Sequence, residues 1–351
     1  MDLLTATAAD LLAAPDALWE TALVGGASDR LLTLRRLAGR WHPDHCTDPA
    51  ADEVFARIQA ERRRVVGAAR TVAGDRRATE ARPVFESTMA DNGKRWTMPY
   101  VATYGDELGT VYIGRRTLLE VMPLDLADLA GRSVAQTARW TFASSAMEEQ
   151  MLPCLPEVAT LHRTADSILV VRPRNPDLVR LADVMAHVGV VPIEHVAWIG
   201  SGLWNLACYL EFAGRAHPVI DATTIWIDVA KHRVVLLGAW GCAGAIGERW
   251  VALPSRSLAD VTPAWRADPV QRSALGHIQI RRLLRELLGD VAGMGPAPAH
   301  TPISLITFAR NPAAGAAAEQ YRSWQQVVQA TFGKPRFVAW NLPTNLIYPE
   351  N

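Results

Sequence analysis

The sequence predicts a multidomain chain in which a small all-α helical hairpin precedes a larger domain of the α+β class. Apolar residues recur at helical spacing in two consecutive N-terminal stretches. Short β-rich runs, separated by glycine-containing turns, begin near Trp96 and give way to helical patterns. A chain of 351 residues with 49% hydrophobic content is long enough for two or three domains with a sizeable core.

The first helix of the hairpin is predicted over residues 30–41. Leu34, Leu37 and Trp41 follow the i, i+3, i+7 spacing of an apolar helical stripe. The basic residues fall mostly outside this stripe: Arg30, Arg35, Arg36 and Arg40. We therefore expect one face of this helix to enter a core and the opposite face to be basic.

The second helix of the hairpin is predicted over residues 52–66. Asp48-Pro49 is typical of the residues that precede a helix, and the acidic Asp52 and Glu53 suit the positive end of the helix dipole. Its apolar face is formed by Val54, Phe55, Ile58 and Val65. A shorter helix is predicted over residues 17–23.

The loop between the two helices contains His42-Pro43-Asp44. In this setting the tripeptide resembles the signature loop of the J-domain, the module with which Hsp40-class co-chaperones engage a DnaK-type chaperone. In that family the aspartate pairs with an arginine of the chaperone, the proline stiffens the loop, and the basic helix face docks on an acidic groove. The resemblance spans residues 10–70 and assigns chaperone binding to His42, Pro43, Asp44, Arg35, Arg36 and Arg40.

An ordinary helical hairpin with a solvated arginine face is the alternative for this domain, which is predicted over residues 1–70. The sequence departs from the J-domain pattern at Glu61-Arg62, where the family usually has Ala-Tyr. Part of the small core must therefore be filled in another way.

Residues 71–94 are predicted as a linker, because charged side chains are frequent there and apolar periodicity is lost. The larger domain is predicted over residues 95–345. Its expected strands lie at 99–103, 110–114, 117–121, 167–171, 224–229 and 233–237, and its expected helices at 144–152, 178–187, 194–213, 273–288, 303–309 and 316–332.

This order of elements resembles the layout of a protein kinase, which implies a bilobal α+β fold. Gly105-Asp106-Glu107-Leu108-Gly109 looks like the glycine-rich loop, and residues 206–217 are similar to the helix that leads to the catalytic loop and its histidine. Leu275-Gly276 lies in a segment similar to the central buried helix. The resemblance spans residues 95–340, with an unrelated α+β domain as the alternative.

The groups that phosphoryl transfer requires are missing at the matching positions. These positions hold Glu120 for the phosphate-binding lysine, Glu148 or Glu149 for its helix partner, His217 and Val219 in the catalytic loop, Thr224 for the metal-binding asparagine, and Gly238 or Ala239 for the metal-binding aspartate. The resemblance thus implies a pseudokinase with no catalytic residue, metal or cofactor. A kinase that uses Asp221 and His217 as a substitute acid/base pair is the alternative.

Charge and cysteine usage argue against several classes of protein. Lys+Arg and Asp+Glu both number 36, so no global field draws the chain to nucleic acid or to an anionic membrane. The four cysteines form no C-x-x-C pair, which argues against a zinc ribbon or a disulfide framework. No signal peptide is recognised and no apolar run approaches the ~18 residues of a transmembrane helix. We expect a cytoplasmic protein, and the Ala/Arg-rich usage is typical of a high-GC bacterium or its phages.

The sequence therefore predicts a co-chaperone that is not itself an enzyme. The helical domain would recruit and stimulate a DnaK-type chaperone, and the kinase-like domain would be an adaptor for an unknown client protein. Two alternatives stay open: an atypical phosphotransferase with a J-domain appendage, and a structural or assembly protein, for instance of a phage, that uses both modules as binding surfaces.

Overall fold

The computed structural model of the chain describes residues 3, 5–23, 30, 33–34, 37–38, 40–41, 46, 48–58, 60–61, 64, 83–290, 301–342 and 344–348. They form a mixture of helices and small sheets, as expected for the α+β class. The chain divides into two compact units: Met1–Ala81 with Met185–Gly189 and Ala292–His300, and Arg82–Val184 with Val190–Val291 and Thr301–Asn351.

The described part of the N-terminal segment is helical. Helix α1 (Ala8–Ala13) begins at Thr7, whose side chain forms a capping box with Asp10. Helix α2 (Asp16–Ala22) corresponds to the short helix predicted over 17–23, whereas α1 was not predicted. Residues 51–58 are also helical, and the carboxylate of Asp48 accepts a hydrogen bond from the backbone N–H of Ala50 at 2.8 Å.

One apolar cluster holds these helical pieces together. The stripe residues Leu34, Leu37 and Trp41 are buried in it, so the predicted core face of that helix is confirmed at these positions. Trp19, Val54 and Ile58 are buried in the same cluster. Removing a large apolar side chain from water contributes about 1.5 to 3 kcal/mol to folding, so burial in this cluster stabilises these helical pieces.

Glu61, where the chain departs from the J-domain pattern, is only 3% exposed. Its carboxylate pairs with Arg57 at 3.0 Å and with Arg64 at 3.5 Å. Arg64 also pairs with Asp16 on α2 at 2.8 Å. A buried carboxylate is tolerated when it is paired, so an ion-pair network takes the place of apolar packing here.

From Val84 onward the described chain contains both strands and helices. The strands are β1 (Val84–Thr88), β2 (Arg95–Pro99), β3 (Ala102–Asp106), β4 (Gly109–Ile113), β5 (Thr117–Pro123), β6 (Thr160–Arg163), β7 (Ser167–Pro173), β8 (Leu178–Arg180), β9 (Arg215–Ala216), β10 (Ile225–Asp228), β11 (Arg233–Leu236) and β12 (Gly244–Ala245). The helices are α3 (Ala127–Thr137), α4 (Ser145–Met151), α5 (Leu181–Val188), α6 (Ile193–Phe212), α7 (Ser255–Leu258), α8 (Pro263–Ala267), α9 (Ser273–Leu287), α10 (Ile303–Arg310), α11 (Ala317–Phe332) and α12 (Thr344–Ile347).

The largest sheet has five strands in the order β3-β4-β5-β7-β6, and all neighbours are antiparallel. A three-stranded sheet has the order β11-β10-β8, and β1–β2 and β12–β9 form two-stranded sheets. Helix α6 packs against α9 and α11, and α10 packs against α9 and α11. Among the helices described, none combines the length and the apolar character that crossing a membrane requires.

The strand expected over 99–103 was wrong, because these residues span the turn between β2 and β3. Several short elements were not predicted: β6, β9, β12, α7, α8 and α12. Three further differences have an identifiable physical cause. Strand β1 lies inside the segment predicted as a linker, because its β-prone run Val-Phe-Glu-Ser-Thr pairs with β2. Residues 178–180, expected to begin a helix, form strand β8 because they pair with β10. Helix α3 was not predicted; its buried face is made largely of small residues, which carry a weak apolar signal: Leu129, Ala130, Ser133 and Thr137.

Candidate functional site

The residues predicted to bind a chaperone lie mostly outside the described residues. His42, Pro43, Asp44, Arg35 and Arg36 are among those outside. Arg40 is described and exposed, and its guanidinium lies 5.0 Å from the centroid of the buried Trp41 ring. This cation therefore reaches the surface directly above the apolar cluster.

In the second unit, four predicted kinase-like positions meet at one small cavity. Glu120, Thr224, Gly238 and Ala239 line it, together with residues of the β3–β4 turn and Arg256. Its volume is about 30 Å³. A cavity of about 10 to 15 Å³ already holds one water molecule, whereas small-molecule sites occupy about 300 to 1,000 Å³. The cavity is too small for a nucleotide.

The β3–β4 turn closes this cavity from the sheet side. Asp106 and Gly109 face each other at the end of the ladder, and the carboxylate of Asp106 accepts the N–H of Leu108 at 2.9 Å. Gly109 has a φ of +140°, and a Cβ there would lie 2.1 Å from the carbonyl oxygen of Val121. The turn lies so close to β5 that glycine is required.

Arg256 joins this turn to the loop that precedes β10. Its Nε donates to Asp221 at 2.7 Å and its Nη1 donates to Asp106 at 2.9 Å. We call this arrangement the Asp106–Arg256–Asp221 bridge. One cation lies between two carboxylates that would otherwise repel each other, so the bridge holds the turn against the helical part of the unit.

A second contact of the turn strengthens the closure. The carboxylate of Glu107 accepts the backbone N–H of Ser255, the first residue of α7, at 2.9 and 3.0 Å, and the Ser255 hydroxyl also donates to it. These hydrogen bonds lower the pKa of Glu107. The two acidic residues of the turn are therefore both bound by adjacent residues, Ser255 and Arg256.

The surroundings of Asp221 favour the ionised form of its carboxyl group. Burial by itself raises the pKa of this carboxyl, but Arg256 and the hydrogen bonds from Thr223 outweigh burial, so the pKa is lowered overall. Thr223 donates both its backbone N–H, at 2.8 Å, and its hydroxyl, at 2.6 Å. Asp221 therefore acts as an acceptor at the centre of a loop, and its contacts leave it poorly suited to act as a base.

Glu120 lies at the cavity wall on β5. One of its carboxylate oxygens is buried and has no hydrogen-bond partner among the described residues. Burial raises the pKa of Glu120, and Arg172 on β7 opposes this effect. Arg172 is itself fully buried and donates to Thr137 at 3.2 Å and to the carbonyl oxygen of Glu157 at 2.9 Å. An anion such as a triphosphate would meet a carboxyl here.

His217 and Val219 lie in the interior next to the cavity. His217 is 2% exposed, its ring centroid lies 4.9 Å from that of Trp240, and its Nδ1 accepts the N–H of Val219 at 3.3 Å. Burial lowers the pKa of His217 to about 3, so the ring is neutral near pH 7. Val219 is fully buried in an apolar cluster. Neither side chain is placed to take a proton from a substrate.

Thr224, Gly238 and Ala239 form the floor of the cavity. The Thr224 hydroxyl donates to the carbonyl oxygen of Val219 at 3.0 Å, and the N–H of Gly238 donates to the carbonyl oxygen of Thr224 at 3.3 Å. Ala239 has a left-handed backbone with a φ of 58°. These three residues make contacts within the fold, and among the described residues no group of three or more His, Cys, Asp or Glu is arranged to hold a metal ion.

Glu148 and Glu149 are exposed on α4. The helix that packs against the segment after Ala239 is α3, through Arg132. The guanidinium of Arg132 donates to the carbonyl oxygens of Gly241 at 3.3 Å and Ala243 at 3.0 Å. The structure thus places Glu120, Thr224, Gly238 and Ala239 together and puts the two helix glutamates on the surface.

Sequence reasoning missed the residues that close the cavity. Asp106 and Glu107 were noted only as part of a glycine-rich turn, and Asp221 only as a substitute acid. No local sequence pattern pointed to the contacts of Arg256, because it is 35 residues from Asp221 and 150 residues from Asp106.

A scan against protein-family models finds no match for this chain. A search of curated proteins finds no relative either.

Proposed function

We propose that this protein is a co-chaperone that recruits a DnaK-type chaperone and stimulates its ATPase. The observation that carries the proposal is His42-Pro43-Asp44, placed between two stretches whose described apolar residues share one buried cluster. The charged residues expected in this segment suit transient docking, because exposed ion pairs steer encounter and each contributes only about 0.2 to 1 kcal/mol.

The features around the loop support this reading. Arg40 is exposed on the helix that precedes the loop. The Asp16, Arg57, Glu61 and Arg64 network accounts for the one departure from the J-domain pattern. A basic face next to the loop is what an acidic groove on a chaperone would recognise.

The larger domain is the adaptor in this proposal, a kinase-like body without phosphoryl transfer that binds one client protein. The antiparallel sheet followed by a mainly helical part is compatible with that layout. Glu120 stands where a lysine would hold phosphates, and the cavity beside it is about 30 Å³. These two observations favour the adaptor over the alternative of a phosphotransferase.

The chaperone role is tested by the steady-state ATPase of a bacterial DnaK. We expect the full chain to stimulate hydrolysis several-fold and His42→Gln to abolish the stimulation, since the loop is the docking element. Arg163→Gln, a change at an exposed arginine on β6, is the control for loss of one charge. Stimulation that survives in His42→Gln would contradict the proposal.

The adaptor role is tested by affinity capture with wild type and Asp44→Asn. We expect Asp44→Asn to lose the DnaK homologue selectively and to retain the client. Stable stoichiometric incorporation into a particle, with His42→Gln harmless, would instead indicate the assembly protein.

The phosphotransferase alternative predicts stabilisation by Mg-ATP, because a ligand that binds only the folded state raises the melting temperature. We expect no shift in the melting temperature, since the cavity has no room for a nucleotide. A clear shift together with a labelled product would favour the enzyme.

A further inference from the structure

A second and larger cavity lies away from the Asp106–Arg256–Asp221 bridge. It lies beside the end of α3, the end of α6 and the β9–β12 pair, and its volume is about 360 Å³. That volume falls within the range of small-molecule sites, about 300 to 1,000 Å³. Its charged and aromatic lining residues are Arg139, Trp140, Tyr209, Arg215 and Glu248.

The charges around this cavity do not balance. Glu248 is already neutralised, because Arg132 pairs with it at 2.9 Å and the N–H of Ala245 donates to it at 3.0 Å. Arg139 is exposed and has no hydrogen bond or ion pair to any residue in the described part of the chain. Arg215 has no carboxylate partner there either. The cavity therefore carries an excess of two positive charges.

Arg215 is held in place by aromatic rings and not by an acid. Its guanidinium lies 5.0 Å from the ring centroid of Trp140 and 5.9 Å from that of Trp240, and it donates to the side-chain oxygen of Gln136. Burial lowers its pKa, and Tyr209 opposes that effect. Half-buried charges are normally paired, so a rigidly placed guanidinium without an acid is suited to an external anion.

We propose that this cavity binds a doubly charged phosphoryl group through Arg139 and Arg215. Guanidinium groups match the oxygen geometry of phosphate, and a dianion balances the two unpaired cations. The cavity is larger than one phosphate, so the rest of the ligand would lie beside the phosphoryl group, along the ring of Trp140. An aryl phosphate meets both requirements, either as a free small molecule or as a phosphorylated tyrosine of a protein. The site is independent of the loop at His42.

The test is isothermal titration calorimetry of the full chain with phenyl phosphate at low salt and pH 7.5. We expect saturable binding at one site. Affinity should rise as the pH increases through about 6, where phosphate monoesters take their second charge. A peptide that carries phosphotyrosine is the second arm: tighter binding than phenyl phosphate identifies a protein as the source, and equal or weaker binding identifies a small aryl phosphate.

Two variants locate the site. Arg139→Gln should weaken binding roughly tenfold, the effect of losing one charge-assisted hydrogen bond, and should leave the fold intact because Arg139 is exposed. Arg215→Gln should weaken it at least as much, and Arg163→Gln should leave it unchanged. The absence of saturable binding, affinity that does not depend on pH, or wild-type affinity in Arg139→Gln would overturn the proposal.

Discussion

Single charged residues decide what the small cavity in the second unit can do. Arg256 is bound to two carboxylates from distant parts of the chain, Asp106 and Asp221. Glu120 lies on the same cavity wall with one oxygen unpaired among the described residues. Arg256 links two regions of the chain, whereas Glu120 introduces a buried acid. Substitutions at these two residues should therefore change the pH dependence of stability in opposite directions.

Arg256→Met should destabilise the protein by about 2 kcal/mol near pH 7, because it removes hydrogen bonds to two charged groups. The lowered pKa of Asp221 means that its stabilising effect is present above the ordinary aspartate pKa and is lost as the pH falls through its folded-state value. The cost of Arg256→Met should therefore shrink below pH 4. Urea unfolding at pH 7 and pH 3 measures this, with Arg256→Lys as the charge-preserving control. A cost that is the same at both pH values would contradict the bridge.

Glu120→Gln should show the opposite trend. Because the pKa of Glu120 is raised in the folded protein, ionisation opposes folding, and wild-type stability falls as the pH rises above the ordinary glutamate pKa. The unfolding free energy of Glu120→Gln minus that of wild type should thus become more positive from pH 4 to pH 8. Glu148→Gln, at an exposed position on α4, controls for the loss of one acid. A difference that does not change with pH would show that the Glu120 carboxyl is well solvated.

At the scale of elements, two helices of the second unit pack closely at a glycine. Helix α6 and helix α11 approach at Gly200, where a Cβ would lie 2.4 Å from a ring carbon of Trp324. The indole N–H of Trp324 donates to the Ser201 hydroxyl at 3.1 Å. The fully buried Trp324 ring thus fits into the space that glycine leaves on α6.

Gly200→Ala should cost about 1 to 3 kcal/mol, because an added methyl group in a packed core forces side chains or helices apart. The matched control is Gly131→Ala on α3, where a Cβ would meet nothing within 4 Å. That change should instead stabilise the protein by about 0.5 to 1 kcal/mol, since alanine favours a helix over glycine. Thermal or urea unfolding of the two variants measures both changes in stability. Equal changes for Gly200→Ala and Gly131→Ala would contradict this packing.

Elements with strong periodicity were predicted well. Helix α6 was expected over 194–213 and spans Ile193–Phe212, and α9 was expected over 273–288 and spans Ser273–Leu287. Their buried residues are large and regularly spaced, so the local pattern carries the signal. Helix α3 has a face of small residues and was missed, and β8 was missed because its identity depends on pairing with β10.

At the scale of the whole molecule, the sequence alone determined which residues are apolar at regular spacing and which chemical groups are present. The regular spacing of Leu34, Leu37 and Trp41, which are buried in one cluster, and the presence of an acid at Glu120 are of this kind. Only the tertiary structure decided that Arg256 lies between Asp106 and Asp221, and that Arg139 and Arg215 line one cavity. The physical reason is that helical periodicity acts over a few residues, whereas these charges are brought together by strand order and helix packing across the chain.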